Sequence, residues 1–277
     1  MSMFGKKVST QAAAVVTGAG SGIGRAFALA LARRGGRVVC ADINLAGAEE
    51  TVALITAAGG QALAVACDVA VLAEVEALAA KSEQWLGGPV TLVINNAGVG
   101  VGGKPIGEIP MADWQWTVGV NLWGVVHGCH VFAPKLRAQG RGGIINVCST
   151  ASFAAAPLMG PYNLTKAAVL ALSETLKAEM AGSGVHVTAL CPTFVKTNIV
   201  AAGRIDSDSS QLAARLMQWT GVSADRVADT TLAALDRNQL YVLPQLDARL
   251  IWRFKRYAPV SYARGAGLVG RLSALAS

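Results

Sequence analysis

The sequence lacks any unbroken apolar run of about 20 residues, the length that a helix needs to cross a bilayer. Its long uncharged stretches, such as 142–165, are interrupted by Asn, Ser, Gly and Pro. The apolar run at 12–16 follows Lys6 and Lys7 but is too short for the core of an export signal. We therefore expect a soluble, cytoplasmic protein.

Closely spaced cysteines are also missing. The five cysteines, at positions 40, 67, 129, 148 and 191, are odd in number and form no CxxC pair. This pattern argues against a disulfide framework and is typical of reduced thiols in a cytosolic protein. Small buried hydrophobic side chains are the simplest interpretation.

The formal net charge of the chain is +7, and most of this excess of positive charge lies at the C-terminal end. Residues 244–277 hold one anion, Asp247, and six cations: Arg249, Arg253, Lys255, Arg256, Arg264 and Arg271. The main body is therefore close to neutral. A charge confined to a short tail argues against nucleic-acid binding.

No internal repeat or low-complexity linker divides the 277 residues, of which 53% are hydrophobic. Continuously apolar segments, typical of buried parallel strands, lie at 12–16, 37–41, 62–66, 91–94, 143–147, 185–190 and 240–243. Helical patterns lie between them at 23–34, 45–57, 72–85 and 162–181. This alternation predicts an α/β fold, a single-domain doubly wound parallel sheet (Rossmann fold) with helices on both faces over 1–243, followed by a basic C-terminal extension at 244–277.

Three glycines, Gly18, Gly22 and Gly24, lie in TGAGSGIG between the first strand and the first helix. Glycines in such a turn let the backbone approach a pyrophosphate at the helix N-terminus, where free N–H groups favour anions. A tight turn without a ligand is the alternative. Because the strand and helix flank the loop as the motif requires, we interpret it as a dinucleotide site.

Asp42 ends the second strand, in VVCAD, 18 residues beyond Gly24. A carboxylate at this place accepts hydrogen bonds from the adenosine ribose hydroxyls and repels a 2′-phosphate. Four arginines are nearby in the sequence, at 25, 33, 34 and 37, but we interpret them as surface residues. The pattern favours NAD, with NADP as the alternative.

A tyrosine and a lysine four residues apart, Tyr162 and Lys166, share a helix face in YNLTK. By itself this spacing is common. An ammonium beside a phenol stabilises tyrosinate, so we expect Lys166 to lower the pKa of Tyr162 toward neutrality. Tyr162 can then act as an acid–base catalyst.

With TGAGSGIG, Asp42, NNAG at 95–98 and YNLTK in this order, the chain resembles the short-chain dehydrogenase/reductase family over about 8–243. The resemblance implies a nicotinamide-dependent oxidoreductase with a catalytic tetrad of Asn121, Ser149, Tyr162 and Lys166. It also implies that Ser149 holds the substrate oxygen, that Lys166 binds the nicotinamide ribose and that Asn121 holds a water. Homo-oligomers, dimers or tetramers, are implied as well.

The resemblance implies further cofactor contacts. They are Gly18, Ser21, Gly22, Ile23, Gly24, Asp42, Asp68, Val69, Asn95, Ala97, Gly98, Tyr162, Lys166, Pro192, Val195 and Thr197. Thr193 departs from the family pattern, which usually has Gly there. We expect its methyl and hydroxyl groups to enter the edge of the pocket.

The substrate side is apolar in the sequence. By family position it includes Phe153, Leu158, Met159, Phe194 and Ile199, with a substrate lid at about 193–219. Apolar pockets select ligands by shape and hydrophobicity. We expect an apolar secondary alcohol or its ketone, although these side chains could equally serve the core.

A metal site is not expected. His127 and His130 flank Cys129 in HGCH, but the segment is helical in pattern and has no further partner at ligand spacing. His186, inside an apolar strand, is interpreted as a hydrogen-bonded core or edge histidine.

The tail has an amphipathic pattern. If 249–258 is helical, Arg249, Arg253 and Arg256 share one face and Leu250, Ile251, Phe254 and Tyr257 another, until Pro259 ends the helix. Such a helix can lie on an anionic membrane. We favour packing on its own domain or on a neighbouring subunit.

The sequence thus predicts hydride transfer between nicotinamide and an alcohol or ketone. An NADP-dependent ketone reductase is one alternative, and a non-catalytic nucleotide-binding regulatory protein is another. The complete tetrad argues against the latter, since a silent fold has no physical need for a lysine beside that phenol.

Overall fold

The computed structural model describes residues 7–196, 203–205 and 221–275. Its strands are β1 (Ala13–Thr17), β2 (Arg37–Asp42), β3 (Gln61–Ala66), β4 (Leu92–Asn95), β5 (Val101–Gly102), β6 (Gly142–Val147), β7 (Val185–Leu190), β8 (Arg204–Ile205) and β9 (Tyr241–Val242). Its α-helices are α1 (Gly22–Arg33), α2 (Leu45–Ala57), α3 (Leu72–Leu86), α4 (Met111–Thr117), α5 (Gly124–Gln139), α6 (Ala151–Ala154), α7 (Gly160–Glu179), α8 (Ala224–Asp236), α9 (Leu246–Tyr257) and α10 (Pro259–Leu275).

Seven parallel strands form the main sheet in the order β3–β2–β1–β4–β6–β7–β9. The chain first builds outward from β1 to β3, then returns to β4 and builds toward β9. The strand order therefore reverses between β1 and β4. In doubly wound folds ligands bind in the crevice at this switch point, outside the carboxyl ends of the strands.

Helices cover both faces of the sheet. On one face α1, α2 and α8 supply buried side chains such as Phe27, Ile55 and Leu232. On the other face α3, α5 and α7 do so, with Leu78, Phe132 and Val169 as examples in two adjoining clusters. The predicted Rossmann fold is confirmed.

The predicted strand bounds agree closely with the structure. The strand at 185–190 is identical to β7, and the others in the main sheet differ by one residue at one or both ends. The short parallel pair β5–β8, which lies apart from the main sheet, was not predicted. Two-residue strands carry too little periodicity to be detected.

The C-terminal extension forms two helices rather than one. The first, α9, spans Leu246–Tyr257 where 249–258 was predicted, and Pro259, expected only to end it, also begins α10. A proline is favourable at the first position of a helix, where its missing N–H would have no partner. Among the helices in the described part of the chain, none is long and apolar enough to cross a membrane.

Candidate active site

The predicted site residues gather at the carboxyl edge of the main sheet. TGAGSGIG follows β1, the NNAG segment spans the end of β4, Ser149 follows β6 and Pro192 follows β7. All of these strands are parallel, so their carboxyl ends meet at one edge. The topology therefore brings together segments that are far apart in the sequence.

The glycine loop forms a cradle at the N-terminus of α1. Gly18 has φ of 63°, a left-handed conformation that favours glycine. A Cβ on Gly24 would collide with the carbonyl oxygen of Gly18. The N-terminal residue before the helix, Ser21, makes no side-chain capping bond. The narrow backbone turn and the free N–H groups of α1 fit the pyrophosphate of a dinucleotide.

Two residues that the sequence analysis missed hold this loop. Thr17 Oγ1 accepts hydrogen bonds from the backbone N–H groups of Asn96 (3.0 Å) and Ala97 (3.1 Å). Asn96 Nδ2 donates to the carbonyl of Thr17 at 2.8 Å and to that of Gly18 at 3.1 Å. The glycine loop and the NNAG segment are thereby fixed as one surface. Thr17 begins TGAGSGIG and Asn96 lies in NNAG, so both motifs already contained the residues that join them.

Asp42 lies at the end of β2 beside the glycine loop. Its Oδ2 accepts from the Gly20 N–H at 2.8 Å, and its Oδ1 accepts from the Asn44 N–H at 2.9 Å. A Cβ on Gly20 would come within 2.8 Å of the same carboxylate. The carboxylate is therefore fixed beside the place where the adenosine ribose of a dinucleotide lies in folds of this class.

The arginines near Asp42 in the sequence all have partners, and Arg25 donates to the Gly20 carbonyl of the glycine loop itself. Arg25 pairs with Glu50 at 2.8 Å, and Arg34 pairs with Asp229 at 3.1 Å. Arg33 also approaches Asp229, at 3.7 Å. The Arg37 guanidinium donates to the carbonyls of Leu86 and Trp85 at 2.6 and 2.7 Å and lies over the Trp85 ring.

At the carboxyl edge of the sheet, Tyr162 and Lys166 of α7 lie close to Ser149, which follows β6. Lys166 is 3% exposed, and its Nζ lies 5.7 Å from the centre of the Tyr162 ring. The same Nζ donates to the carbonyl of Val147 at 2.8 Å. Ser149 forms a hydrogen bond with the Tyr162 phenol. The structure thus brings together a half-buried hydroxyl, a half-buried phenol and a buried amine.

Burial has the largest effect on the pKa values of this group. It raises the pKa of the Tyr162 phenol above its ordinary value, and the hydrogen bond with Ser149 acts in the opposite direction. Burial also lowers the pKa of Lys166, partly offset by the nearby Cys148 and Cys191. The expected lowering of the Tyr162 pKa by Lys166 is therefore wrong, because both groups lose solvent.

Asn121 lies fully buried in a π-helical segment, Val118–Trp123, that joins α4 to α5. Its Oδ1 accepts from the Val99 N–H at 2.7 Å, and its Nδ2 donates to the Val99 carbonyl at 2.9 Å. A Cβ on Gly98 would lie 3.2 Å from Asn121 Oδ1 and 3.6 Å from Lys166 Nζ. The Asn121 side chain fixes the backbone beside Lys166.

Asn95, expected at the cofactor, turns its side chain into the core. It is 3% exposed, and its Nδ2 donates to Asn146 Oδ1 at 2.8 Å. Asn146 Nδ2 donates in turn to Ser173 Oγ at 3.0 Å. The Asn95 side chain therefore links β4, β6 and α7 beneath the site. This buried network had no pattern in the sequence that would reveal it.

Other predicted cofactor residues occupy the same edge. Val69 is buried and would contact a Cβ on Gly124, and Asp68 Oδ1 accepts from the Ala70 N–H at 2.9 Å. Pro192 is buried, and Val195 forms an isolated bridge with Val222. Thr197, Ile199 and most of the predicted lid at 193–219 lie outside the described residues.

The Thr193 hydroxyl was expected at the edge of the pocket, but the structure places it elsewhere. Thr193 Oγ1 donates to Asp247 Oδ1 at 3.2 Å, so the hydroxyl turns toward the C-terminal helices. The backbone N–H of Thr193 donates to Gln245 Oε1, also at 3.2 Å. Sequence reasoning missed Gln245 because it is distant in the chain and belongs to no motif.

Four of the predicted substrate-side residues are half-buried: Phe153, Leu158, Met159 and Phe194. Leu158 has φ of 63°, unusual for a residue with a side chain, and its carbonyl accepts from the Gly103 N–H at 2.9 Å. This contact connects the segment before α7 to the end of β5.

Two of the histidines form hydrogen bonds with the backbone, and the cysteines are part of the core. His127 Nδ1 lies 2.9 Å from the Val69 carbonyl, and His186 Nδ1 lies 2.7 Å from that of Leu235. All five cysteines are buried and unbridged. No group of three or more metal-binding side chains occurs within 7–196, 203–205 and 221–275.

A parallel sheet with a glycine cradle at its switch point defines a class of Rossmann-fold proteins that bind dinucleotides. A sequence model described as short chain dehydrogenase matches residues 12–208. The chain belongs to the short-chain dehydrogenase family.

Known proteins resemble the chain over most of its length. The 1-deoxy-11-beta-hydroxypentalenate dehydrogenase of Streptomyces exfoliatus is 35% identical, covering 90% of this chain and 91% of that protein. A short chain dehydrogenase/reductase from Burkholderia phymatum in complex with NAD is 35% identical with a TM-score of 0.85, covering 91% and 95%. A short-chain dehydrogenase from Sphingobium yanoikuyae in complex with NADPH is 27% identical with a TM-score of 0.75, covering 92% and 94%.

One group of relatives is much longer. The probable oxidoreductase EphD of Mycobacterium tuberculosis is 37% identical over 235 residues, which cover 81% of this chain and 39% of EphD. The chain thus matches about two fifths of the length of that relative.

Proposed function

We propose that the protein transfers hydride between a nicotinamide cofactor and the carbinol carbon of a secondary alcohol, or back to its ketone. The observation that carries the proposal is the group of Ser149, Tyr162 and the buried Lys166 at the sheet edge that also carries the glycine cradle. When bound, the nicotinamide supplies the hydride acceptor or donor. The family relation to a hydroxypentalenate dehydrogenase supports action on a CH–OH group.

Each side chain has a role that its position supports. The Ser149 hydroxyl orients the substrate oxygen toward Tyr162. During oxidation the Tyr162 phenolate takes the hydroxyl proton, and during reduction the phenol returns it. Lys166, fixed by the Val147 carbonyl, lies where it can bind the nicotinamide ribose and stabilise the phenolate. The proton leaves the alcohol oxygen as the hydride leaves carbon, so the two transfers balance.

We propose NAD as the preferred cofactor. The Asp42 carboxylate is held at the end of β2 by two backbone N–H groups, and a 2′-phosphate there would meet like charge. Arg25, the arginine closest in sequence to the glycine loop, is paired with Glu50. Complexes of family members with NAD and with NADPH support a nicotinamide cofactor of either kind, so the choice depends on Asp42.

We propose an apolar substrate. The half-buried side chains of Phe153, Leu158, Met159 and Phe194 offer few polar contacts. Such a lining selects by shape and hydrophobicity. Equal or better turnover of polyols would contradict this part of the proposal.

We propose a cytoplasmic homo-oligomer in which the tail serves protein contacts. One face of α9 packs on the domain, with Ala248 fully buried. Another face leaves Leu250 and Phe254 more than half exposed, at 56% and 51%. An exposed apolar face of this kind suits a contact between subunits.

The test follows the absorbance of reduced cofactor with a panel of secondary alcohols from short aliphatic to steroid-sized, with NAD and NADP in parallel. We expect turnover with NAD that rises with substrate hydrophobicity and is lost in Ser149→Ala. Tyr257→Phe, at an 84% exposed tyrosine, is a control that should keep full activity. NAD binding without turnover of any alcohol would favour the non-catalytic alternative.

A further inference from the structure

The first turn of α9 is joined to the segment that follows β7. Gln245, directly before α9, is 7% exposed. Its Oε1 accepts from the Thr193 N–H at 3.2 Å, and its Nε2 donates to the Phe194 carbonyl at 3.1 Å. One side chain thus bonds two main-chain groups of this irregular segment: it is the acceptor for the Thr193 N–H, and it shares the Phe194 carbonyl with the Val222 N–H, which donates at 3.2 Å.

A side-chain contact reinforces the junction. Thr193 Oγ1 donates to Asp247 Oδ1 at 3.2 Å, and the same oxygen accepts from the Ala248 N–H at 2.8 Å. Asp247 therefore ties the threonine to the N-terminus of α9. A glycine at position 193 could not make this bond, so the departure from the family pattern has a partner in the tail.

The C-terminal helices also touch the serine side of the site. The hydroxyl of Tyr262, in α10, donates to the Ala154 carbonyl at 2.8 Å. Ala154 ends the short helix α6, which begins two residues after Ser149. Within α6, Ser152 Oγ donates to the Lys166 carbonyl at 2.8 Å. The tail is thus in contact with α6, which follows Ser149, and with the segment after β7.

We propose that the C-terminal helices position the nicotinamide side of the active site, with Gln245 as the principal positioning residue and the Thr193–Asp247 contact as its support. The inference rests on the proposed function, since it assumes that the Pro192–Phe194 segment lies against the nicotinamide. An irregular segment keeps its geometry only where its backbone groups are satisfied. Gln245 bonds to two of them and so limits the conformations of the segment before cofactor binds.

The test compares NADH binding, followed by the fluorescence of the bound nucleotide, in Gln245→Met and in the full-length wild type. Methionine keeps the length of the side chain and removes both hydrogen bonds. We expect the Kd for NADH to rise about tenfold, the order expected from losing two buried hydrogen bonds. Gln239→Met is the matched control, because Gln239 is exposed and donates one bond to the Tyr241 carbonyl. The Kd of Gln239→Met for NADH should equal that of the wild type.

A milder pair of variants separates positioning from folding. Thr193→Val removes the hydroxyl and keeps the shape, while Thr193→Ser keeps the hydroxyl. We expect weaker NADH binding and a higher KM for NAD in Thr193→Val, with recovery in Thr193→Ser and no change in the KM for the alcohol. If Gln245→Met and Thr193→Val both fold, shown by wild-type circular dichroism, and bind NADH as the wild type does, the proposal is overturned.

The binding readout does not depend on turnover. A wild-type protein that binds NADH but oxidises no alcohol would contradict the proposed function. The comparison of Gln245→Met with Gln239→Met would still decide the positioning proposal. A loss of affinity equal in these two variants would also overturn it.

Discussion

Tyr162 can act as a base only after it loses its proton, and its burial opposes that loss. The hydrogen bond with Ser149 favours the phenolate and offsets part of this effect. In the proposed mechanism, the Ser149 hydroxyl thus adjusts the proton affinity of the Tyr162 base as well as holding the substrate. The chemistry of single residues at this site depends on their solvent exposure as much as on their type.

The pH dependence follows from the direction of these shifts. Because the pKa of Tyr162 is raised, the phenolate fraction of the free enzyme grows as the pH rises, and kcat/KM for alcohol oxidation should rise with it. Any activity that remains in Ser149→Ala should show this rise at higher pH, because the hydrogen bond that lowers the pKa is gone. Tyr162→Phe should lose about 10²- to 10⁴-fold in rate. Initial rates measured across the pH range check all three, and a flat profile would contradict the assignment of Tyr162 as the base.

Asp42 gives a second prediction at the residue scale. Asp42→Asn keeps an acceptor for the Gly20 N–H and removes the charge that repels a 2′-phosphate. The ratio of kcat/KM with NAD to that with NADP should fall about tenfold, which corresponds to about 1.4 kcal/mol. Glu49→Gln, at an exposed carboxylate on α2, should leave the ratio unchanged. An unaltered ratio in Asp42→Asn would mean that another residue selects the cofactor.

At the scale of elements, polar side chains join the strands and helices beneath the site. Asn95, Asn146 and Ser173 form a hydrogen-bonded series from β4 through β6 to α7. Ser173 Oγ continues it to the Val169 carbonyl at 2.7 Å. Because α7 carries Tyr162 and Lys166, this buried series sets the position of the catalytic helix against the sheet. Buried polar groups with full partners specify one arrangement.

Gly128, in α5, packs directly against Asn95, the first member of this hydrogen-bonded series. A Cβ at Gly128 would overlap Asn95 Oδ1. Gly128→Ala should lower the free energy of unfolding by about 1–3 kcal/mol, since added volume in a packed core forces a shift. Gly265→Ala in α10, where a Cβ meets nothing within 4 Å, should raise it by about 0.5–1 kcal/mol. Urea denaturation of both variants measures the difference, and equal midpoints would show that the space around Gly128 adapts without cost.

At the scale of the whole molecule, the tail has two faces with different environments. The inner contacts join Gln245 and Tyr262 to the active-site segments. The outer face of α9 carries four exposed apolar side chains: Leu246, Leu250, Phe254 and Tyr257. They recur at spacings of four and three residues and so form one stripe. An apolar stripe on a protein surface requires a partner to become buried.

We expect that partner to be a second subunit. Leu250→Asp combined with Phe254→Asp should lower the molar mass measured by light scattering, because charges in an apolar contact cost free energy. Leu54→Asp, at a 48% exposed leucine on α2, is the matched control and should keep the wild-type mass. Cosedimentation with anionic liposomes tests the membrane alternative. Pelleting of the wild type but not of the double variant, with unchanged mass, would replace the subunit contact by a lipid contact.

Much of the fold could be predicted because its signals are local. Continuous apolar runs and the helical segments between them gave β7 and α2 with exact bounds. The β5–β8 pair and α10 were missed, since a two-residue strand and a helix beginning at Pro259 have weak local patterns. The spacing of Tyr162 and Lys166 and, for Ser149, the family resemblance also predicted a site at residues that the topology brings to one edge.

The sequence by itself determined the family, the glycine cradle and the order of the motifs, because each of these is a short segment with fixed chemistry. Only the tertiary structure decided the direction of the Tyr162 pKa shift, which depends on how much solvent the packed chain excludes. It also turned Thr193 toward Asp247 and placed Gln245 against the backbone after β7, although about 50 residues separate them. Contacts of that separation are set by the packing of elements and leave no periodicity in the sequence.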